Sequence, residues 1–218
     1  MTTDINPSDE KGIRKIAAYI KYPFYTMVHP AEGFYGLRHE KKGSIWMIIG
    51  LIFMLWLSFA INSQYAGLVV DDSHPMDTNS LVLLAGIISV FILFCAANWS
   101  VTCLMDGEGR LIDIAMATSY AMIPIILTMI PATILSNFLI MDEAAFYYMI
   151  LSISIVWFVV LLVVGIMTIH DYTVLKTLIT IFLTFVSMAV ILFMIMLLTS
   201  MLQNIYIFFH SLYIEIVL

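Results

Sequence analysis

Charge is what this sequence has least of. Lys, Arg, Asp and Glu make up 11% of its 218 residues, where an ordinary soluble domain carries about 25%. A water-facing shell around a core of this length is therefore excluded: several stretches of about twenty residues carry no charge at all. Cysteine is almost missing too. Cys95 and Cys103 are the only two, and eight residues of helical rise would separate them by roughly 12 Å, beyond the roughly 4.4 to 6.8 Å Cα separation of a disulfide. They are expected to be reduced packing residues. The sequence also lacks H-E-x-x-H, paired C-x-x-C, G-x-x-x-x-G-K-[ST] and G-x-S-x-G, the spacings that build zinc, phosphate and acyl-transfer sites. No Asp, Glu, Lys or Arg falls in the centre of a hydrophobic stretch, where a pump or intramembrane enzyme usually keeps one. No catalysis, cofactor, metal or nucleic-acid partner is expected.

What is present is apolar: 62% of the residues are hydrophobic. Five segments stand out, at about Ser44 to Ile61, Leu81 to Leu104, Ile112 to Leu139, Ala144 to Ile169 and Thr177 to Leu202. Each is long enough to cross roughly 30 Å of hydrocarbon, the first only barely. No period-two alternation suggests a barrel, and backbone hydrogen bonding in lipid then leaves helices. The fold class is all-α: a polytopic integral membrane protein with five spans. A cleavable signal peptide is not expected, because the first hydrophobic stretch follows a polar, basic segment, and span 1 is expected to direct insertion itself.

Orientation follows from the bases. Lys11, Arg14, Lys15, Lys21, Arg38, Lys41 and Lys42 precede span 1, while Arg110 and Lys176 lie in the loops joining spans 2 to 3 and 4 to 5. All nine fall on one side of a five-span model, so the N-terminus is expected in the cytoplasm and the C-terminus outside. Asp71, Asp72, Asp77, Asp142, Glu143 and Glu215 fall on the other side. They account for the whole formal net charge of −6, which therefore says nothing about cytoplasmic partners.

Residues 1–43 read as a basic cytoplasmic segment, 44–202 as the membrane domain and 203–218 as an apolar outer tail or an extension of span 5. In the first, Ile13, Ile16, Ala17 and Ile20 recur at helical spacing beside Lys11, Arg14, Lys15 and Lys21, which suits an interfacial helix on the inner leaflet. Pro23 is expected to end or bend it. A second short helix is expected from Pro30 to Leu37, with Phe34 and Tyr35 at headgroup depth. The tail from Gln203 through Ile205-Tyr206-Ile207-Phe208-Phe209 to Tyr213-Ile214 is too apolar to hang in water. It prolongs span 5, lies in the outer interface, or packs on another membrane protein.

The most informative stretch runs from Asn98 and Trp99 through Asp106-Gly107-Glu108-Gly109-Arg110 into span 3. Asn98 lies within apolar sequence, where an amide normally finds a partner on a neighbouring helix, and Trp99 suits an interfacial anchor. Gly107 and Gly109 permit a tight connection with positive φ, and Asp113 favours the N-terminus of span 3. Asp106, Glu108 and Arg110 form either a contact surface for a partner or cation, or a charged turn whose acids pair with Arg110, Lys176 or the basic N-terminal segment. His170 and Asp171 begin the next loop on the same side, which suggests a metal or proton site with Asp106, Glu108 and Asp113, although the spacing is not that of a metal motif. In span 3, Ser119-Tyr120 precede Pro124, and Pro131 follows. Each proline frees a carbonyl, of Tyr120 and Leu127, and bends the helix. Asn98, Thr102, Ser119 or Thr128 could donate to them, and Ala117 with Ala121 allows close approach of a neighbour.

In order and placement, several of these motifs resemble the Yip family, the Ypt/Rab-interacting membrane proteins, and its bacterial branch in particular. The residues that carry the likeness are His29-Pro30 to Phe34 with Lys41-Lys42-Gly43-Ser44, Asn98-Trp99, Asp106-Gly107-Glu108-Gly109-Arg110, and Ser119-Tyr120 followed by Pro124. The resemblance implies a five-helix membrane protein without known catalytic activity. Eukaryotic relatives bind small GTPases in vesicle traffic, but this chain lacks the long polar N-terminal region common among them. Bacterial relatives are often encoded beside carbohydrate ABC importers. The expectation is a plasma-membrane scaffold or accessory subunit that binds other integral membrane proteins, ABC importer subunits among them; the alternative is a small transporter or channel with a path along spans 2 and 3. Glu143-Ala144-Ala145 superficially resembles a permease motif that docks an ATPase, yet by the charge argument it lies outside.

Overall fold

The computed structural model describes residues 21–40, 43–67, 70 and 79–217. Residues 21–28 are helical, followed by α1 (Pro30–His39), α2 (Ile45–Tyr65), α3 (Ser80–Leu104), α4 (Leu111–Ala121), α5 (Ile123–Ser136), a 3-10 turn at Met141–Glu143, α6 (Ala144–His170) and α7 (Val174–Val217). Five units are long and apolar enough to cross a membrane: Ile45–Tyr65, Ser80–Leu104, Leu111–Ser136, Met141–His170 and Val174–Glu215. The chain is thus an all-helical, multi-pass membrane protein. The expected helix over Ile13 to Ile20 with Lys11, Arg14 and Lys15, together with Lys41, Lys42, Asp71, Asp72 and Asp77, lies outside the described residues.

The third unit is central. In its most apolar eighteen residues 56% are buried, against 6% in α7, so α4 and α5 form the post on which α1, α2, α3 and α6 lean, while α7 packs on α3 and α6. Small side chains make this possible: Ala117 and Ala121 are fully buried, and a Cβ built on Gly165 of α6 would lie 3.2 Å from the Ala117 Cβ. Close backbone approach of this kind, with packing rather than hydrophobic exclusion, holds helices together in lipid.

The post is broken between α4 and α5. Met122, with φ −74° and ψ −8°, ends the first helix, and Pro124 sits in the first turn of the second, where a missing N–H costs nothing. Pro131 lies inside α5. The expected donors to the freed carbonyls go elsewhere. Ser119 donates to the Met116 carbonyl, Thr102 to Trp99, Thr128 to Pro124, and Asn98 to Thr184 across to α7. A hydroxyl in a helix reaches its own preceding turn more readily than a neighbour's backbone.

The N-terminal segment departs from its expected setting. Pro23 lies within the helix at 21–28, and the helix that it was expected to end or bend lies outside the described residues. Proline does open α1 as expected, but Phe34 is fully buried rather than at headgroup depth. Its ring lies against Gly165, 3.2 Å from where a Cβ there would stand, and Leu37 joins the same core. Tyr35, on the other side, is exposed. Gly33 lets the 21–28 helix close on α1, because a Cβ there would fall 2.7 Å from the Thr26 Cα.

Two further expectations shift. Cys95 and Cys103 are both free thiols, but only Cys95 packs in the interior; Cys103 is exposed. Of the three fates left open for the tail, the described residues take the first: α7 is one unbroken helix of 44 residues.

Candidate functional site

The loop joining α3 to α4 and the link joining α6 to α7 lie at the same end of the bundle, and Arg38 of α1 ties them together. Its guanidinium donates to Glu108, to the Asp171 carboxylate at 2.8 Å and to the Thr168 carbonyl at 3.2 Å. The Arg38 side chain is 13% exposed while the two carboxylates are 65% and 61% exposed. A planar fork can serve three acceptors at once where an ammonium could not, and here those acceptors belong to segments 70 and 133 residues away along the chain.

Under the clamp the two loops interlock. The Gly109 N–H donates to His170 Nδ1 at 3.2 Å, so that nitrogen carries no proton and the neutral ring holds its hydrogen on Nε2. The ring is 2% exposed and stacks on Tyr172 with centroids 5.2 Å apart. Tyr172 donates to the Met105 carbonyl at 3.0 Å, and Lys176 Nζ stands 4.1 Å over its ring. Burial and then the nearby Asp106 carboxylate raise the Tyr172 phenol above its ordinary range, which keeps the donor protonated.

The glycines of this loop serve approach rather than rotation. Among the described residues no glycine has positive φ; the left-handed positions are Asp106 and Asp171, at φ 54° and 52°. A Cβ on Gly107 would meet His170 Nδ1 at 2.6 Å, and one on Gly109 would collide with Ile169 Cγ2. The expected positive φ at Gly107 and Gly109 is thus replaced by aspartates, whose short polar side chains tolerate that region. Arg110 opens α4, with its N–H and Nε donating to Asp113 Oδ2 at 3.1 and 3.2 Å. Hydrogen bonding to Asp113, and its charge, raise the Arg110 pKa further. A cleft of about 290 Å³ lined by Leu37, Arg38, Gly43, Arg110, Asp113 and Met116 opens beside it.

Of the loop residues singled out in the sequence, Asp106, Glu108 and Arg110 are exposed, and Gly107 and Gly109 are half-buried. Glu108 turns to Arg38 and Arg110 to Asp113. The suggested metal or proton cluster is not assembled: His170 Nδ1 is occupied by Gly109, and among the described residues no group of three His, Cys, Asp or Glu is placed to hold a metal ion.

Deeper in the bundle, Asn98 is fully buried and its Nδ2 donates to Thr184 Oγ1 at 3.0 Å. Trp99 is 43% exposed on the outer face of α3. Ser119 and Tyr120 are fully buried, and the Tyr120 ring meets Tyr22 edge-on at 6.4 Å. Pro124 is buried at the start of α5. Thr177, Thr180 and Thr184 form a fully buried stripe on α7 facing α3. That stripe was readable as polar residues at i, i+3 and i+7 in an apolar helix. Arg38, Tyr172 and, near the other end, Asn62 carried no such signal. Asn62 Oδ1 accepts from Thr133 at 2.8 Å and from Tyr147 at 2.9 Å.

No curated protein and no solved structure matches this chain. The Yip1 domain family model matches residues 24–203, a range that takes in most of the helix at 21–28, the Arg38 clamp, both loops, four of the membrane-length units whole and α7 as far as Gln203. The chain belongs to the Yip1 domain family.

Proposed function

We propose that this protein is a non-enzymatic scaffold or accessory subunit of the plasma membrane, oriented with the Arg38 end in the cytoplasm, that holds other integral membrane proteins through α7. The observation that carries this is the bareness of α7: only 6% of its most apolar window is buried, and it is the one membrane-length helix whose outer faces the bundle leaves almost uncovered. Helices associate in lipid through such faces when a partner packs better than acyl chains do. The charges at the loop end are largely spent on one another, with Arg38 serving Glu108 and Asp171 and Arg110 serving Asp113. This favours a rigid base for a presented helix over a moving catalytic or ion-coupled site. The bacterial Yip resemblance suggests subunits of a carbohydrate ABC importer as the class of partner.

Extraction in a gentle detergent, affinity capture of the full chain and mass spectrometry of what accompanies it test the reading. A stoichiometric membrane complex is expected, with no substrate flux when the chain alone is placed in liposomes. Recovery only as a lone, flux-competent species would overturn it in favour of a transporter or channel.

A further inference from the structure

The helix at 21–28 and α1 fold against each other and leave an open cleft of about 450 Å³, lined by Tyr22, Tyr25, Ala31, Glu32, Tyr35 and Glu40. Both charged residues of that lining are acids. Arg38, on the same helix, is turned instead to Glu108 and Asp171. The rings are held in place. Tyr22 and Tyr25 stand with centroids 6.1 Å apart, and each is tied across to α1: the Tyr22 hydroxyl donates to the Gly33 carbonyl at 2.8 Å, and that of Tyr25 to Glu32. His29 stacks on Tyr25 at 5.1 Å and His39 on Tyr35 at 4.2 Å. Burial, and then the nearby Glu40 charge, raise the Tyr22 phenol above its ordinary range.

Aromatic faces carry the negative part of the ring quadrupole, so rings and carboxylates act here in the same sense. The cleft attracts a cation and repels an anion. A hard divalent metal takes about six oxygen ligands or more, and among the described residues no group of three His, Cys, Asp or Glu is placed to hold one. An ammonium asks for less: ring faces for its charge and carboxylates for its N–H groups.

Depth decides where that ammonium comes from. The units Leu111–Ser136 and Met141–His170, of 26 and 30 residues, measure about 39 and 45 Å, the roughly 40 to 45 Å of a bilayer with its headgroups. Their ends at Leu111 and His170 therefore mark the outer limit of one headgroup layer. The Tyr22 ring meets Tyr120 at 6.4 Å, nine residues or about 13 Å into α4. Phe34 lies against Gly165, five residues or about 8 Å before the end of α6. The cleft runs from Tyr22 at that depth up to Glu40, two residues past the clamp arginine, and so crosses the headgroup layer. Tyr25 and Tyr35 are 43% and 53% exposed to it.

We propose that this cleft binds the headgroup of an ethanolamine phospholipid, with Glu32 and Glu40 accepting from its ammonium and the faces of Tyr22, Tyr25 and Tyr35 meeting its charge. A choline headgroup has no N–H to give the carboxylates, and a net anionic headgroup is repelled by them. The site depends neither on the scaffold reading nor on which side of the membrane the clamp faces.

Native mass spectrometry of the delipidated full chain in a gentle detergent tests it, with phosphatidylethanolamine, phosphatidylcholine or phosphatidylglycerol added at equal concentration. The ethanolamine lipid is expected to be retained several-fold more than either of the others. Glu32→Gln with Glu40→Gln is expected to bring its retention down to the choline level while the lipid-free melting temperature stays at the wild-type value, since both side chains are exposed. Asp142→Asn, which neutralises an exposed acid at the other end, should leave retention unchanged. Tyr35→Leu should weaken retention several-fold and Tyr35→Phe should keep it. Equal retention of the three lipids, an unchanged preference in the glutamine pair, an equal loss in Asp142→Asn, or complete displacement of the lipid by free ethanolamine at the same concentration would each overturn the proposal.

Discussion

Arg38 does three things that no other side chain near the loops could do at once, and that sets how it fails. Truncation to Ala removes donors to Glu108, Asp171 and the Thr168 carbonyl and leaves that half-buried carbonyl dependent on water. Charge-assisted hydrogen bonds are worth about 1.5 to 3 kcal/mol each when shielded, but both carboxylates are mostly exposed and screened. Arg38→Ala is therefore expected to lower stability by about 1 to 2 kcal/mol, read as a drop in melting temperature of the detergent-solubilised chain. Arg38→Lys should recover less than half of the loss, since a single ammonium cannot bridge two segments in fixed geometry. Full rescue by lysine would mean that net charge, not the clamp, matters at this position. The pairing could not be read from sequence, because Arg38 enters there only as one of seven bases before span 1, and nothing local links it to residues 70 and 133 positions away. Glu108 was visible as a candidate for the opposite reason: its neighbours are glycines and charges between two apolar runs.

The spans were legible because lipid imposes a length and a polarity on any helix that crosses it. Four of the five begin and end within a few residues of where hydropathy places them. The fifth was legible only as far as Leu202, because beyond Gln203 and Asn204 the apolar run from Ile205 to Phe209 fits an extension, an interfacial helix or a docked segment equally well. α1 shows the other limit. A ten-residue helix with one glycine-flanked Phe and one Tyr reads as a surface anchor, and only the notch at Gly165, more than a hundred residues on, makes Phe34 a core side chain. This yields a prediction that separates the two settings. Phe34→Ala is expected to cost about 3 to 5 kcal/mol, as for a fully buried ring, and Tyr35→Ala, 53% exposed, no more than about 0.5 kcal/mol. Unfolding titrations of the two variants check it. Equal small losses would return α1 to the membrane surface.

Taken together, the loop clamp, the central post and the bare end of α7 make a molecule with two unlike ends. One end gathers Arg38, Arg110 and Lys176 around Glu108, Asp113 and Asp171; Lys176 even lies over the Tyr172 ring rather than out toward solvent. The other carries Asp142 and Glu143 and, farther out along α7, Glu215, with no base among its described residues. Cytoplasmic loops retain Lys and Arg during insertion while acidic residues pass with little hindrance. The clamp end is thus expected inside, and an odd number of crossings puts residue 218 outside. A reporter fused after Leu218 that is active only outside the cytoplasm is the expected result, with a fluorescent protein at the same site staying dark. The consequence reaches the end of α7 directly. If the reporter proves cytoplasmic, the exposed apolar stretch of α7 beyond Leu202 would project on the inner side, and every basic residue would have been translocated against the rule. If it proves external, the bare stretch of α7 faces a compartment where membrane-anchored neighbours stay close enough to cover it.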